Sequence, residues 1–139
     1  MKTKKPTVAQ LKKKADEWFS KYVRYRDSIY RNGERYADCI TCGVEKNIKQ
    51  LQAGHFVSRR VNKLRFEETN VNAQCTGCNL FKQGEQYLYA KAVDAKYGDG
   101  VAEELMNQRH QTHKFTVAEL EQIIDDCKTQ IKYYEENKV

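Results

Sequence analysis

Proline and tryptophan each occur once in the 139 residues, and histidine occurs three times. The one proline, Pro6, stands ahead of the first regular element, so no proline-rich linker divides the chain. No apolar run approaches the length needed to cross a membrane. The basic start, Met1-Lys2-Thr3-Lys4-Lys5, has no apolar run behind it, which excludes a secretory signal. There is no low-complexity segment, and no repeat beyond two Cys-x-x-Cys pairs. A single domain over residues 1–139 and a cytoplasmic location are expected, without membrane partners. Acid is scarce at the front: residues 1–35 hold eleven Lys and Arg against four Asp and Glu. Residues 36–85 hold seven against five, and residues 86–139 hold seven against ten. The net charge of +6 therefore sits in the front half, where it would attract a phosphate backbone. A solvated helix face with a basic tail accounts for the same charges.

The pattern predicts an α+β fold, mostly helical. After a basic tail over residues 1–6, a long helix is expected over 7–33. Thr7 and Gln10 have capping-box spacing, and Asn32-Gly33 offers a stop. Val8, Leu11, Ala15, Trp18, Phe19, Tyr22 and Ile29 recur as its buried stripe. A core over 36–90 would hold a strand over Leu51–Val57, a loop over 58–69 and a second strand ending at Cys75. A helix would start near Cys75–Asn79, with Leu80, Phe81, Tyr87, Leu88, Val93 and Tyr97 packed inward. The C-terminal helices over 91–139 end in the best-marked one. Thr116 and Glu119 cap it, Phe115 can staple to Leu120, and the stripe from Val117 to Tyr134 supplies an apolar face.

Cys39/Cys42 and Cys75/Cys78 form two short-range pairs. Four thiolates from two tight turns are what a tetrahedral zinc site needs, and reduced cytosolic cysteines favour this over disulfides. Gly43, just after Cys42, permits the tight turn. A closed thiolate shell leaves no open position, so zinc here is structural. Cys127 falls on the stripe of the last helix and reads as core.

The one histidine outside the C-terminal half, His55, lies between the pairs. A neutral imidazole there can take a proton from water that attacks a phosphodiester. Such cleavage also needs a divalent ion on the leaving oxygen, and the amide oxygen of Asn79 suits Mg2+ or Mn2+. Arg59, Arg60, Lys63, Arg65 and Lys82 gather around this segment and are candidate DNA phosphate contacts. Arg65 could equally pair with Glu67 or Glu68. His110 and His113 fall between helices and read as surface or capping residues.

Gly54-His55-Phe56, Asn70-Val71 and Cys75-Thr76-Gly77-Cys78-Asn79 together resemble the HNH, or ββα-metal, nuclease finger in its His–Asn–Asn form. That resemblance implies His55 as general base, Asn70 as the residue that ties the loop and orients His55, and Asn79 as ligand of the catalytic Mg2+ or Mn2+. Many HNH enzymes carry Asp just before the histidine, where this chain has Gly54. Gln52, Glu67 or Glu68 could replace it, or water could complete the ion's shell. The implied fold is a zinc-stapled finger flanked by the N-terminal long helix and the C-terminal helical region. Leu64-Arg65-Phe66, Glu68, Gln74, Tyr97-Gly98, Arg24-Tyr25-Arg26-Asp27 and His113-Lys114-Phe115-Thr116 extend the similarity to the NinG (Rap) family of lambdoid phage recombination proteins. It covers roughly residues 10–135 and implies a structure-specific endonuclease acting on Holliday junctions and D-loops. The family chemistry implies 5′-phosphate and 3′-hydroxyl products.

A two-fold junction suggests a homodimer, with the N-terminal helix or the stripe on 117–134 as interface. Two other readings stand beside this one: an HNH nuclease indifferent to branching, and a zinc-stapled DNA-binding adaptor that does not cut. A pure zinc ribbon would need none of His55, Asn70 and Asn79.

Overall fold

A computed structural model describes residues 4–139; the first three residues of the expected basic tail lie outside the described residues. Helix α1 (Val8–Arg26) starts at a complete capping box. The Gln10 amide donates to Thr7 Oγ1 (3.1 Å), and the Thr7 amide donates to Gln10 Oε1 (2.9 Å). Its buried face is Leu11, Ala15, Phe19 and Val23, whereas Val8 is exposed.

The helix does not continue to residue 33. Strand β1 (Ile29–Arg31) pairs antiparallel with β2 (Glu34–Asp38), leaving Ile29 outside the core. Asn32 and Gly33 both take positive φ (51° and 85°). Two successive left-handed residues make the turn that matches the twist of a tight hairpin, so this Asn-Gly joins strands instead of ending a helix.

Strand β3 (Glu45–Asn47) flanks β2 on its other side, and one 3-10 turn leads into β4 (Leu51–His55). Strand β5 (Val71–Cys75) runs antiparallel to β4, with Leu51 opposite Cys75 and His55 opposite Val71. The connection between them, predicted as loop, contains the short helix α2 (Asn62–Arg65). After β5 comes one π-helical turn, Gly77–Phe81, then α3 (Gln86–Tyr97), α4 (Val101–Asn107) and α5 (Val117–Asn137). Three consecutive residues ahead of α3, Gln83, Gly84 and Glu85, have positive φ. That break prevents the helix expected from Cys75 onward from forming in one piece.

Helices α1 and α5 run parallel. Leu11 and Ala15 meet Phe115, Leu120 and Ile124, while Phe19 and Val23 meet Cys127 and Val71. The apolar faces expected to pair two copies of the chain are thus spent on each other. Thr116 Oγ1 accepts the Glu119 amide (3.1 Å), but the Glu119 carboxylate turns to His113 Nε2 (2.6 Å) instead of closing a box. Phe56 and Leu64 pack with Tyr89, Val93, Ala102 and Leu105 of α3 and α4.

Every residue of β5 is buried, polar ones included. Apart from Gln74 Oε1, which has no partner, their side-chain polar atoms find hydrogen bonds on neighbouring elements, as burial requires. Asn72 Oδ1 accepts from Lys96 Nζ (2.7 Å) and the Tyr97 hydroxyl (2.6 Å), and Tyr89 donates to the Gly54 carbonyl (2.6 Å). Contrary to the inward packing expected of them, Leu80, Phe81, Tyr87 and Leu88 are all exposed.

Candidate metal centre and adjoining cleft

The first Cys-x-x-Cys pair forms the turn between β2 and β3. The Gly43 amide donates to the Cys39 carbonyl (2.8 Å) and the Cys39 amide to that of Val44 (2.9 Å), with Gly43 at φ +77°. The second pair leaves the end of β5, where the Cys78 amide donates to Cys75 Sγ (3.4 Å). The four sulfurs lie within 4.8 Å of one another, and Cys42 and Cys75 are 3.8 Å apart. A zinc–sulfur bond near 2.3 Å in a tetrahedron requires sulfur separations of roughly 3.8 Å. The cage therefore fits a structural metal such as zinc, which would join the β2–β3 hairpin to the end of the β4–β5 pair.

Burial pushes the Cys78 thiol well up. Cys39, which burial alone would also raise, is brought down to about 6 by hydrogen bonds from the backbone and the Thr41 hydroxyl. Four adjacent thiolates repel one another without a cation, and a divalent metal removes that conflict. Cys127 lies apart, buried between α1 and α5, its thiol pushed up to about 12 by burial.

Beside this centre opens a cleft of about 700 Å3, bordered by Asp16, Gln52, His55, Arg59, Asn79 and Leu80. His55 sits at the end of β4, and its Nε2 is 2.9 Å from the Arg65 carbonyl. A carbonyl only accepts, so the ring proton is on Nε2 and Nδ1 is the basic nitrogen. Burial holds the imidazole below the ordinary histidine range. The Arg65 carbonyl and Asp16 oppose that shift, while Arg59 and Arg65 add to it. The ring is consequently neutral near pH 7.

Asn70 is fully buried, and its side-chain hydrogen bonds go to Val57 and Leu64, not to His55. Its amide donates to the carbonyls of Val57 (3.0 Å) and Leu64 (3.1 Å) and accepts from the Val57 amide (2.8 Å). It thereby laces the connection containing α2, whose last residue, Arg65, offers the carbonyl that His55 uses. Asn79 donates Nδ2 to Gln52 Oε1 (2.7 Å), which leaves Asn79 Oδ1 as the atom that could hold a cation. Of Gln52, Glu67 and Glu68, the candidate oxygen ligands from the sequence, Gln52 lines the cleft. Glu68 instead accepts from the Tyr22 hydroxyl, and Glu67 from that of Thr69 (3.3 Å).

Among the basic candidates, Arg59, Arg60, Lys63 and Lys82 are exposed, and Arg59 borders the cleft itself. Arg65 is neither free for DNA nor paired with Glu67 or Glu68. Its guanidinium clasps the Asp16 carboxylate of α1 (2.8 Å at Nε) and also donates to the Arg59 carbonyl (3.0 Å). Asp16 is the cleft residue that sequence reasoning missed. It is 49 positions from its partner, and no local spacing marks so distant a pair.

The sequence model of the family described as Bacteriophage Lambda NinG protein matches residues 1–137. The chain belongs to the NinG family. The NinG relative from Escherichia phage lambda, protein ninG, is 27% identical over 116 residues, covering 83% of this chain and 56% of its own length. The ninG protein of Escherichia phage 933W is 29% identical over 103 residues, 73% of this chain and 50% of its own length. That of Salmonella phage P22 is 27% identical over 116 residues, with 83% and 56% covered. The chain thus spans about half the length of the NinG relatives it matches. No solved structure matches it. The NinG match takes in the four cysteines, His55, Asn70 and Asn79 together. Among the described residues, no helix is long and apolar enough to cross a membrane.

Proposed function

We propose that the protein is an HNH-type, metal-dependent DNA endonuclease of phage recombination, cutting branched DNA such as Holliday junctions and D-loops in the cytoplasm of the bacterial host. The observation that supports this most directly is the His55–Arg65 hydrogen bond. It sets a neutral imidazole with a free Nδ1 in the same cleft as Asn79 and the cationic Arg59. The preference for branched substrates rests on the family resemblance and not on this geometry.

In the proposed reaction Nδ1 of His55 takes a proton from water as its oxygen bonds to the scissile phosphorus. The bond from phosphorus to the 3′ oxygen breaks, and that oxygen takes a proton from solvent, giving 5′-phosphate and 3′-hydroxyl ends. Asn70 keeps the α2 connection, and with it the Arg65 carbonyl, at the distance that orients the ring. Arg59 and Arg60 hold flanking phosphates. Asn79 Oδ1 would hold Mg2+ or Mn2+, which keeps several waters and would stabilise charge on the leaving oxygen. The hard amide oxygens of Asn79 and Gln52 suit such an ion, whereas the thiol cage beside them suits zinc. Paired cuts across a two-fold junction call for two copies of the chain. Their contact would use a surface other than the mutually buried faces of α1 and α5.

The test is cleavage of a four-way junction, a D-loop, a flap and a linear duplex in Mg2+ or Mn2+, with His55→Ala alongside. Paired nicks in the junction, absent in the variant, are expected. Equal cutting of all four substrates would leave a nuclease indifferent to branching. Binding without cutting in either metal would leave a DNA-binding adaptor.

A further inference from the structure

The segment from Leu80 to Leu88, which starts at the rim of the cleft, exposes four large apolar side chains. Phe81 is 81% exposed and Tyr87 74%, with Leu80 and Leu88 beside them in sequence. Leu80 also lines the cleft with His55 and Asn79. Side chains of this size are normally withdrawn from water, and a local cluster of them marks a contact surface.

The backbone maintains this exposure at a cost. Gln83 and Glu85 are left-handed on either side of Gly84, a conformation unfavourable for residues with a Cβ. The turn is nevertheless held firmly. The Gly84 amide donates to the Cys78 carbonyl (2.7 Å), and its carbonyl accepts from Nε2 of buried Gln74 (2.9 Å). The two rings thus flank a turn anchored to the cysteine cage.

Charge decides between occupants. Lys91 Nζ lies 4.9 Å from the Tyr87 ring centroid, and exposed Lys82, its Nζ 4.0 Å from the half-buried Glu85 carboxylate, follows Phe81 directly. Arg59 stands exposed on the cleft's border, and exposed Arg60 follows it in the chain. Flat rings interleaved with cations fit nucleobases joined by phosphates, since every base offers a face for stacking and every linkage a negative charge. A second copy of the chain would bring the same cations against these ones.

We propose that Phe81 and Tyr87 form a stacking platform for unpaired bases of a DNA strand, with Lys82 and Lys91 on its phosphates. This rests on the nuclease reading of the adjacent cleft and deepens it: the platform would select substrates in which pairing is already interrupted beside the scissile phosphate. Unpaired bases are available to stack, whereas bases within a duplex must first be unstacked.

The experiment is fluorescence anisotropy with the zinc-loaded full chain and no Mg2+ or Mn2+, so that binding is read without cleavage. The probes are a single-stranded oligonucleotide, a gapped duplex and a fully paired duplex. Phe81→Ala and Tyr87→Ala are expected to weaken binding to the first two by roughly 5- to 100-fold each. Binding to paired duplex should fall much less, and the salt dependence should stay as in the unaltered chain. Lys82→Gln with Lys91→Gln should instead flatten the salt dependence on all three probes. Both rings are exposed, so unchanged circular dichroism and zinc content check that the variants remain folded.

Unaltered affinity of the ring variants for all three probes would overturn the proposal. So would an equal loss on paired and unpaired DNA, or a drop in solution mass that marks the segment as a contact between copies. His55→Ala separates the two readings: if it still cuts, the nuclease assignment fails while platform binding stands. If cleavage depends on His55 but the ring variants bind normally, the platform alone fails.

Discussion

Gln74 occupies the space that a side chain on Gly54 would need. A Cβ built at Gly54 overlaps Gln74 Oε1 outright and lies 2.9 Å from its Cδ. Gln74 cannot easily swing aside, because it is fully buried and its Nε2 serves both Thr41 (3.1 Å) and Gly84 (2.9 Å). Any side chain at position 54, just before His55, is therefore opposed on steric grounds. The side-chain space is filled by the glutamine that anchors the next turn, leaving Gln74 Oε1 buried without a hydrogen-bond partner.

Gly54→Ala is expected to destabilise the fold by about 1–3 kcal/mol through this overlap. In a Gln74→Ala background the same change should cost much less. Urea denaturation of the four chains in a double-mutant cycle measures the difference. Equal costs in both backgrounds would show that the two side chains do not compete.

Protonation of His55 should occur below the ordinary histidine value of 6.5, because burial disfavours its charged form. Between that value and the lower folded value the unfolded chain binds the extra proton. The stability contributed by neutral His55 is thus complete above 6.5 and lost as pH falls through the folded pKa. The acidic limb of cleavage should lie in the same range. Proton NMR of the imidazole reads it directly, and a midpoint above 6.5 would contradict the burial argument.

Removal of the metal is expected to unfold the β2–β3 hairpin and the turn after β5 together, since the cage is their shared anchor. Cys78→Ser should lose the bound metal and lower the melting temperature by several degrees or more. Cys127→Ala should retain one metal per chain and lose only packing, costing about 1–2 kcal/mol. Metal analysis with thermal melts distinguishes them. Retention of metal by Cys78→Ser would remove that thiol from the cage.

Asn70→Ala should release the α2 connection. Three hydrogen bonds to buried backbone are lost, at an expected cost of about 2–4 kcal/mol. Amide exchange at Val57, whose hydrogen bond ends on Asn70 Oδ1, should accelerate well before global unfolding. If that amide remains as protected as in the unaltered chain, Asn70 is not what holds the connection.

Local chemistry was readable in the sequence where neighbours in the chain are neighbours in space. Thr7 with Gln10 announced a capping box that is present in full. Cys-x-x-Cys spacing announced a cage that does assemble. The strand expected over Leu51–Val57 occupies Leu51–His55. The errors came where one local signal had two physical outcomes. Asn-Gly ends a helix or turns a hairpin equally well, and the pairing of β1 with β2 decided between them. Helical spacing at Leu80, Phe81, Tyr87 and Leu88 suggested inward packing, but three left-handed residues between them reset the angular relation. Asp16 with Arg65 was illegible for a further reason: periodicity carries no record of which distant faces will meet.

The parallel packing of α1 on α5 has a consequence in time. About 90 residues separate Arg26 from Val117, and synthesis at roughly 5–20 residues per second places on the order of ten seconds between the two helices. During that interval Leu11, Ala15 and Phe19 lack the cover that α5 supplies, while Cys78 and the cage it completes have already been made. The nascent chain would therefore pass through a stage with its metal centre closed and its first helix still offering an apolar flank to chaperones.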